Sequence, residues 1–176
     1  MAVDPLLPHN FSISPVEEVC CSFYLNRDRI SFSVPAPYPG WGAIRAGIAN
    51  KIAALPDTSK VTECSLIYRD RFLLNNDEIS RFQSRINQDI FHITRVSDTE
   101  SALIPTAQSP ELNACVSSRF EGGDRQAWTL NFVVTTRESC RFDDQDEILS
   151  WFDEAHALIH TLFDQIVPAE IVEIIR

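Results

Sequence analysis

The stretch from Asp144 to Val167 constrains the fold more than any other part of the chain. Ile148, Trp151, Phe152, Ala155, Leu158, Ile159, Leu162, Phe163 and Ile166 recur at three- and four-residue spacing and make one wide apolar helix face. Asp144 and Glu147 stand at capping-box spacing, the carboxylates from Asp143 to Glu147 lie at the positive end of the helix dipole, and Pro168 stops the run. A face this broad has to be buried against another layer.

Strand patterns supply that layer. Val19, Cys21, Phe23 and Leu25 alternate with polar or smaller residues, and Asn26 to Arg29 turn the chain into Ile30, Phe32 and Val34, which predicts a hairpin. Val61 to Leu74 is the longest strand, with Cys64, Leu66, Tyr68, Phe72 and Leu74 on one side and Glu63, Arg69 and Arg71 on the other; Asp70 interrupts the apolar side. Ile90–Val96, Leu112–Phe120 and Trp128–Thr136 follow, the last two joined by Gly122-Gly123-Asp124.

Helical spacing appears twice more. Trp41, Ile44, Ile48, Ile52 and Leu55 form a helix ending at Pro56, in which Gly42 and Gly47 point to close packing on the sheet. Asn75-Asn76 offers caps for a short helix carrying Ile79, Phe82 and Ile86. The expected fold is a single α+β domain over residues 16–176. Its two layers are a mainly antiparallel sheet and the long C-terminal helix, in a helix-grip-like arrangement. Residues 1–15, with Pro5, Pro8 and Pro15, are expected to be an irregular lead-in.

Charge narrows the partners. The chain carries a net −10, and residues 143–176 hold nine carboxylates against Arg176 alone. Such a field repels phosphate backbones, so nucleic acid is not an expected partner. Apolar stretches are broken well short of the about 20 residues that span a bilayer, and no membrane association is expected. Met1 to Asn10 lacks the pattern of a secretory signal, and Cys20, Cys21, Cys64, Cys115 and Cys140 form an odd set without a C-x-x-C pair. Reduced thiols in a cytoplasmic protein are the expectation.

No dinucleotide fingerprint, Walker loop, nucleophile elbow or zincin motif occurs in a chain with only five glycines. No catalytic residue, cofactor or metal is therefore assigned. His156 and His160 stand four apart, near Asp153 and Asp164, but lack a third ligand, and a boundary histidine bonded to the sheet is the simpler use of His156. Asp70 beside Tyr68 and Arg71 faces inward and needs an arginine or phenol partner, either in a structural ion pair or in a ligand site. Pro35-Ala36-Pro37-Tyr38-Pro39-Gly40-Trp41 is a stiff loop whose Tyr38 and Trp41 serve as a rim or an anchor, or as a cap on the core.

Pro15-Val16-Glu17-Glu18-Val19, Pro37-Tyr38-Pro39-Gly40-Trp41, Tyr68-Arg69-Asp70-Arg71 and Trp151 to His156 with Phe163 follow one another along the chain. In this order they resemble the motifs of a sporadically distributed, uncharacterised family of bacterial and archaeal proteins. The resemblance runs from about Ile30 to Ile171. It implies a prokaryotic cytosolic origin and an accessory gene setting, and carries no activity. In that family an asparagine stands where this chain has Asp70, and an arginine where it has Ile67.

The resulting expectation is a non-catalytic binding module acting through a protein partner or a ligand, with homo-oligomerisation left open. The alternative is a small-molecule-binding or enzymatic pocket between sheet and C-terminal helix. The candidate binding residues are Tyr38, Trp41, Tyr68, Asp70, Arg71 and His156.

Overall fold

The computed structural model describes residues 12–15, 22–26, 28–35, 38–55, 57–75, 77–78, 80, 90–95, 100–106, 111–121, 126–137, 140–167 and 169. Among these residues eight strands form one open sheet: β1 Ser12–Pro15, β2 Ser22–Asn26, β3 Arg29–Pro35, β4 Glu63–Leu74, β5 Phe91–Arg95, β6 Glu100–Pro105, β7 Leu112–Glu121 and β8 Gln126–Thr136, in the order β1-β2-β3-β4-β8-β7-β6-β5. All neighbours are antiparallel except β3 and β4. Parallel neighbours need a crossover, and α1 (Trp41–Ala53) provides it. The final helix, α2 (Gln145–Ile166), packs beside α1 and across the central strands β4 and β8. The fold is the expected α+β arrangement of a mostly antiparallel sheet under a long C-terminal helix.

Alternation along the central strands sorts two faces. Val34, Leu66, Val116, Leu130, Phe132 and Val134 are fully buried on the helix side and meet Ile48, Ile52, Ile148, Phe152 and Ala155 from above. Phe32 and Phe152 pack edge to face at 5.8 Å, and Phe72 stacks with Trp128 at 5.3 Å. On the other face Arg69 Nε donates to Asn131 Oδ1 at 2.8 Å and Asn131 Nδ2 donates to Ser117 Oγ at 3.1 Å, a polar ladder across β4, β8 and β7.

Local chemistry explains where the helices start. Asp144 Oδ1 accepts from the Glu147 N–H at 2.9 Å, and the Glu147 carboxylate accepts from the Asp143 N–H at 2.8 Å, a reciprocal cap shifted one residue outward. The same device opens the short helical turn after Asn75, which exchanges bonds with Glu78 at 2.8 and 3.0 Å. Gly40, before α1, has φ 92°, a backbone that side chains rarely adopt, which accounts for glycine between Pro39 and Trp41.

Several expectations need correcting. The stretch expected as an irregular lead-in contributes β1, which adds to the edge of the β2–β3 hairpin. Strand β6 was not among the predicted strands; Glu100 to Pro105 shows only a broken alternation and gains its partners from β5 and β7. Gly42 faces open space, so only the buried Gly47 fits the idea of close packing. Leu158 and Phe163 are half-buried at the border of the α2 face rather than in its centre. The expectations at Val19, Cys20, Cys21, Ile79, Phe82, Ile86, Gly122 to Asp124 and Pro168 lie outside the described residues.

Candidate functional site

The end of β3 creates the site. Inward residues of β3 and β4 pair as Ile30 with Cys64, Phe32 with Leu66 and Val34 with Tyr68, and β3 ends at Pro35 opposite Arg69. Asp70 is thus the first inward residue of β4 beyond the β3 ladder. On its other side it pairs with Leu130, which is fully buried. Tyr38, from the loop leaving β3, folds back and donates its hydroxyl to Asp70 Oδ1 at 2.6 Å.

Asp70 is 8% exposed, although it is a carboxylate in the middle of a strand. Its partner is the phenol of Tyr38, and the structural ion pair considered for it does not form among the described residues. Burial raises its carboxyl above the ordinary range, and the Tyr38 hydrogen bond opposes that rise only in part. The Tyr38 phenol is pushed up in turn, by desolvation first and then by the charge and hydrogen bond of Asp70. It remains a donor at any ordinary pH.

A chain of contacts leads from Asp70 to the helices. The Tyr38 and Tyr68 rings lie 5.0 Å apart, and the Tyr68 hydroxyl sits 3.3 Å from His156 Nδ1 on α2. The His156 ring stacks on Trp41 at 4.0 Å with planes 7° apart. Desolvation, then His160, lowers the affinity of His156 for a proton, while Asp153 raises it; the imidazole is neutral near pH 7. Trp41 Nε1 donates to Asp153 Oδ1 at 2.9 Å, and Arg45 Nε donates to both oxygens of Asp153 at 2.9 and 3.0 Å. One carboxylate therefore ties the first turns of α1 to α2.

Five of the six sequence-derived candidates, Tyr38, Trp41, Tyr68, Asp70 and His156, meet in this cluster. Arg71 does not, because the two-residue period of β4 puts it on the exposed opposite face. Trp41 is not a free anchor either: it is half-buried, stacked and hydrogen-bonded. Sequence reasoning missed Arg45 and the structural use of Asp153. The four-residue step from Trp41 to Arg45 marks one face of α1, but nothing in the sequence says that Asp153 faces it.

Donors for a metal do not gather: among the described residues no three His, Cys, Asp or Glu side chains come close enough to hold an ion. His156 and His160 lie edge to face at 6.2 Å, and His160 approaches Asp164 at 3.3 Å on the exposed side of α2. The cluster can accept and donate hydrogen bonds, present aromatic faces and hold a proton on Asp70.

No helix among the described residues is long and apolar enough to cross a membrane. Compared with family models, curated proteins and solved structures, the chain matches none.

Proposed function

We propose that this chain is a binding domain for a small molecule, which seats between the sheet and the helices at Tyr38, Tyr68, Asp70 and His156. The observation that supports this most is Asp70, a carboxylate more than nine-tenths buried and met by a single phenol. A purely structural core has no use for such a group, since an apolar residue at that position of β4 costs nothing to desolvate. Trp41, Asp153 and Arg45 act as its frame, holding the two helices and His156 in place.

Protein partnership is the second reading. It rests on Tyr38, which is 38% exposed, and on the carboxylates that α2 exposes. The same proposal places the domain in a prokaryotic cytoplasm and among the sporadic family its motifs resemble, in keeping with Cys64 and Cys115, which are not in disulfides.

The test is a thermal-shift panel of small polar metabolites on the wild type, Tyr38→Phe and Asp70→Asn. Compounds that raise the wild-type Tm by several degrees are expected to act weakly on Asp70→Asn. A compound that shifts all three proteins equally sits elsewhere and counts against the site. Retention of a protein in pull-downs, lost on Tyr38→Ala but kept by Asp70→Asn, supports the second reading instead.

A further inference from the structure

Resting on that reading, we infer that the ligand presents a positively charged organic nitrogen, an ammonium group, to the Asp70 carboxylate beside the contacting Tyr38 and Tyr68 rings. The argument begins with a missing counter-charge. Among the described residues, Asp70 has one hydrogen-bonding partner, the neutral Tyr38 hydroxyl, and no cation.

Among the described residues, the groups linked to it come from several elements. Tyr38 arrives from the loop after β3 and Tyr68 from β4 itself, while β8 contributes the apolar Leu130 and Phe132. From α2 come His156, whose imidazole is held neutral, and Asp153; from α1 comes Arg45, whose guanidinium is spent on Asp153. Arg69 and Arg71 are exposed on the far face of the sheet.

A buried carboxylate without a cation is destabilised as an anion, and it is relieved either by a proton or by a cationic ligand. The walls favour the ligand to be organic. The Tyr38 and Tyr68 rings, in tilted contact at 5.0 Å, place aromatic surface that attracts ammonium groups next to Asp70, and among the described residues no three carboxylate, thiol or imidazole side chains are gathered for a metal ion. Tyr38, 38% exposed and hydrogen-bonded to Asp70, gives the group its way in by swinging aside.

Proton linkage follows. In the free domain Asp70 holds its proton above the ordinary carboxylate range, and an arriving ammonium favours the ionised form. Apparent affinity therefore rises with pH, by up to about tenfold per unit, until Asp70 is ionised without ligand, and binding releases a proton over that range.

Methylammonium and tetramethylammonium chloride are the probes, with sodium acetate and 1-propanol as anionic and neutral counterparts at matched ionic strength, read by the carboxyl ¹³C resonance of Asp70 and the ring signals of Tyr38. The expected result is a saturable response to an ammonium probe that tightens with rising pH, weakens at least tenfold in Asp70→Asn and several-fold in Tyr38→Ala. Tyr38→Ala removes a partly exposed loop side chain outside the sheet and helices and leaves the Asp70 carboxylate in place, so the test stands even where Asp70→Asn does not fold. Equal affinity in Tyr38→Ala and wild type, or an affinity that ignores pH, overturns the inference. Saturable binding of acetate or propanol without ammonium overturns the charge assignment and leaves the small-molecule site intact. Silence of the cluster toward all four probes overturns both.

Discussion

A carboxylate on the buried side of a strand changes how stability depends on pH. Asp70 binds its proton more tightly folded than unfolded, mainly because burial penalises the charge. Between the unfolded and folded pKa values the native state holds more protons, so stability falls as pH rises through that window. Asp70→Asn removes this dependence. Urea denaturation from pH 4 to 8 is expected to show the variant gaining on the wild type as pH rises from about 4, then keeping a constant difference. Parallel curves would mean that Asp70 titrates as it does in water. His156 has the opposite sign: its folded proton affinity is lowered, so its contribution is lost as pH falls below the ordinary imidazole value. The two residues thus narrow stability from opposite sides, one for being a buried carboxyl and the other for being an imidazole desolvated next to His160.

At the level of single elements, α2 does most to join the layers, and its parts are separable. The N-cap bond from the Glu147 N–H to Asp144 satisfies one orphan donor in an exposed turn, so Asp144→Ala is expected to cost about 1 kcal/mol. Phe152 is fully buried against Phe32 and Trp151, and Phe152→Ala is expected to cost about 3–5 kcal/mol through the cavity it leaves. Phe163→Ala should cost less than Phe152→Ala, because that ring is only partly covered and packs at the edge of Phe132. Denaturation midpoints of the three variants check the order; a loss at Phe163 equal to that at Phe152 would place the centre of the interface elsewhere. The pattern of α2 was legible because amphipathic spacing and a capping box are local properties. Strand β6 was not, because a short strand without clean alternation is defined by the neighbours it pairs with.

Charge belongs to the molecule as a whole. The net −10 is concentrated toward the C-terminal end, where α2 exposes Asp146, Glu147, Glu154 and Asp164. Duplex and single-stranded DNA and RNA titrated at low salt, where the Debye length is longest, are expected to show no micromolar binding. Binding there would redirect attention to Arg69, Arg71 and Arg119, which are exposed on the face of the sheet away from the helices.

By itself the sequence determined the layers of this protein: period-two strands, two helices with apolar spacing, the cap of α2, the inward direction of Asp70 and the chemical types of the candidate residues. Each follows from spacing along the chain, because backbone geometry converts spacing into faces. Tertiary structure alone decided which of those faces meet. The parallel placement of β3 against β4 ends one strand beside Asp70 and brings Tyr38 back over it, and the packing of α1 on α2 stacks Trp41 on His156 and spends Arg45 on Asp153. Arg71 adjoins Asp70 in sequence and lies across the sheet from it, whereas His156 is far along the chain and shares its cluster. Contacts between distant residues depend on strand order and helix docking, which depend on burying all the apolar faces together and are written in no single segment.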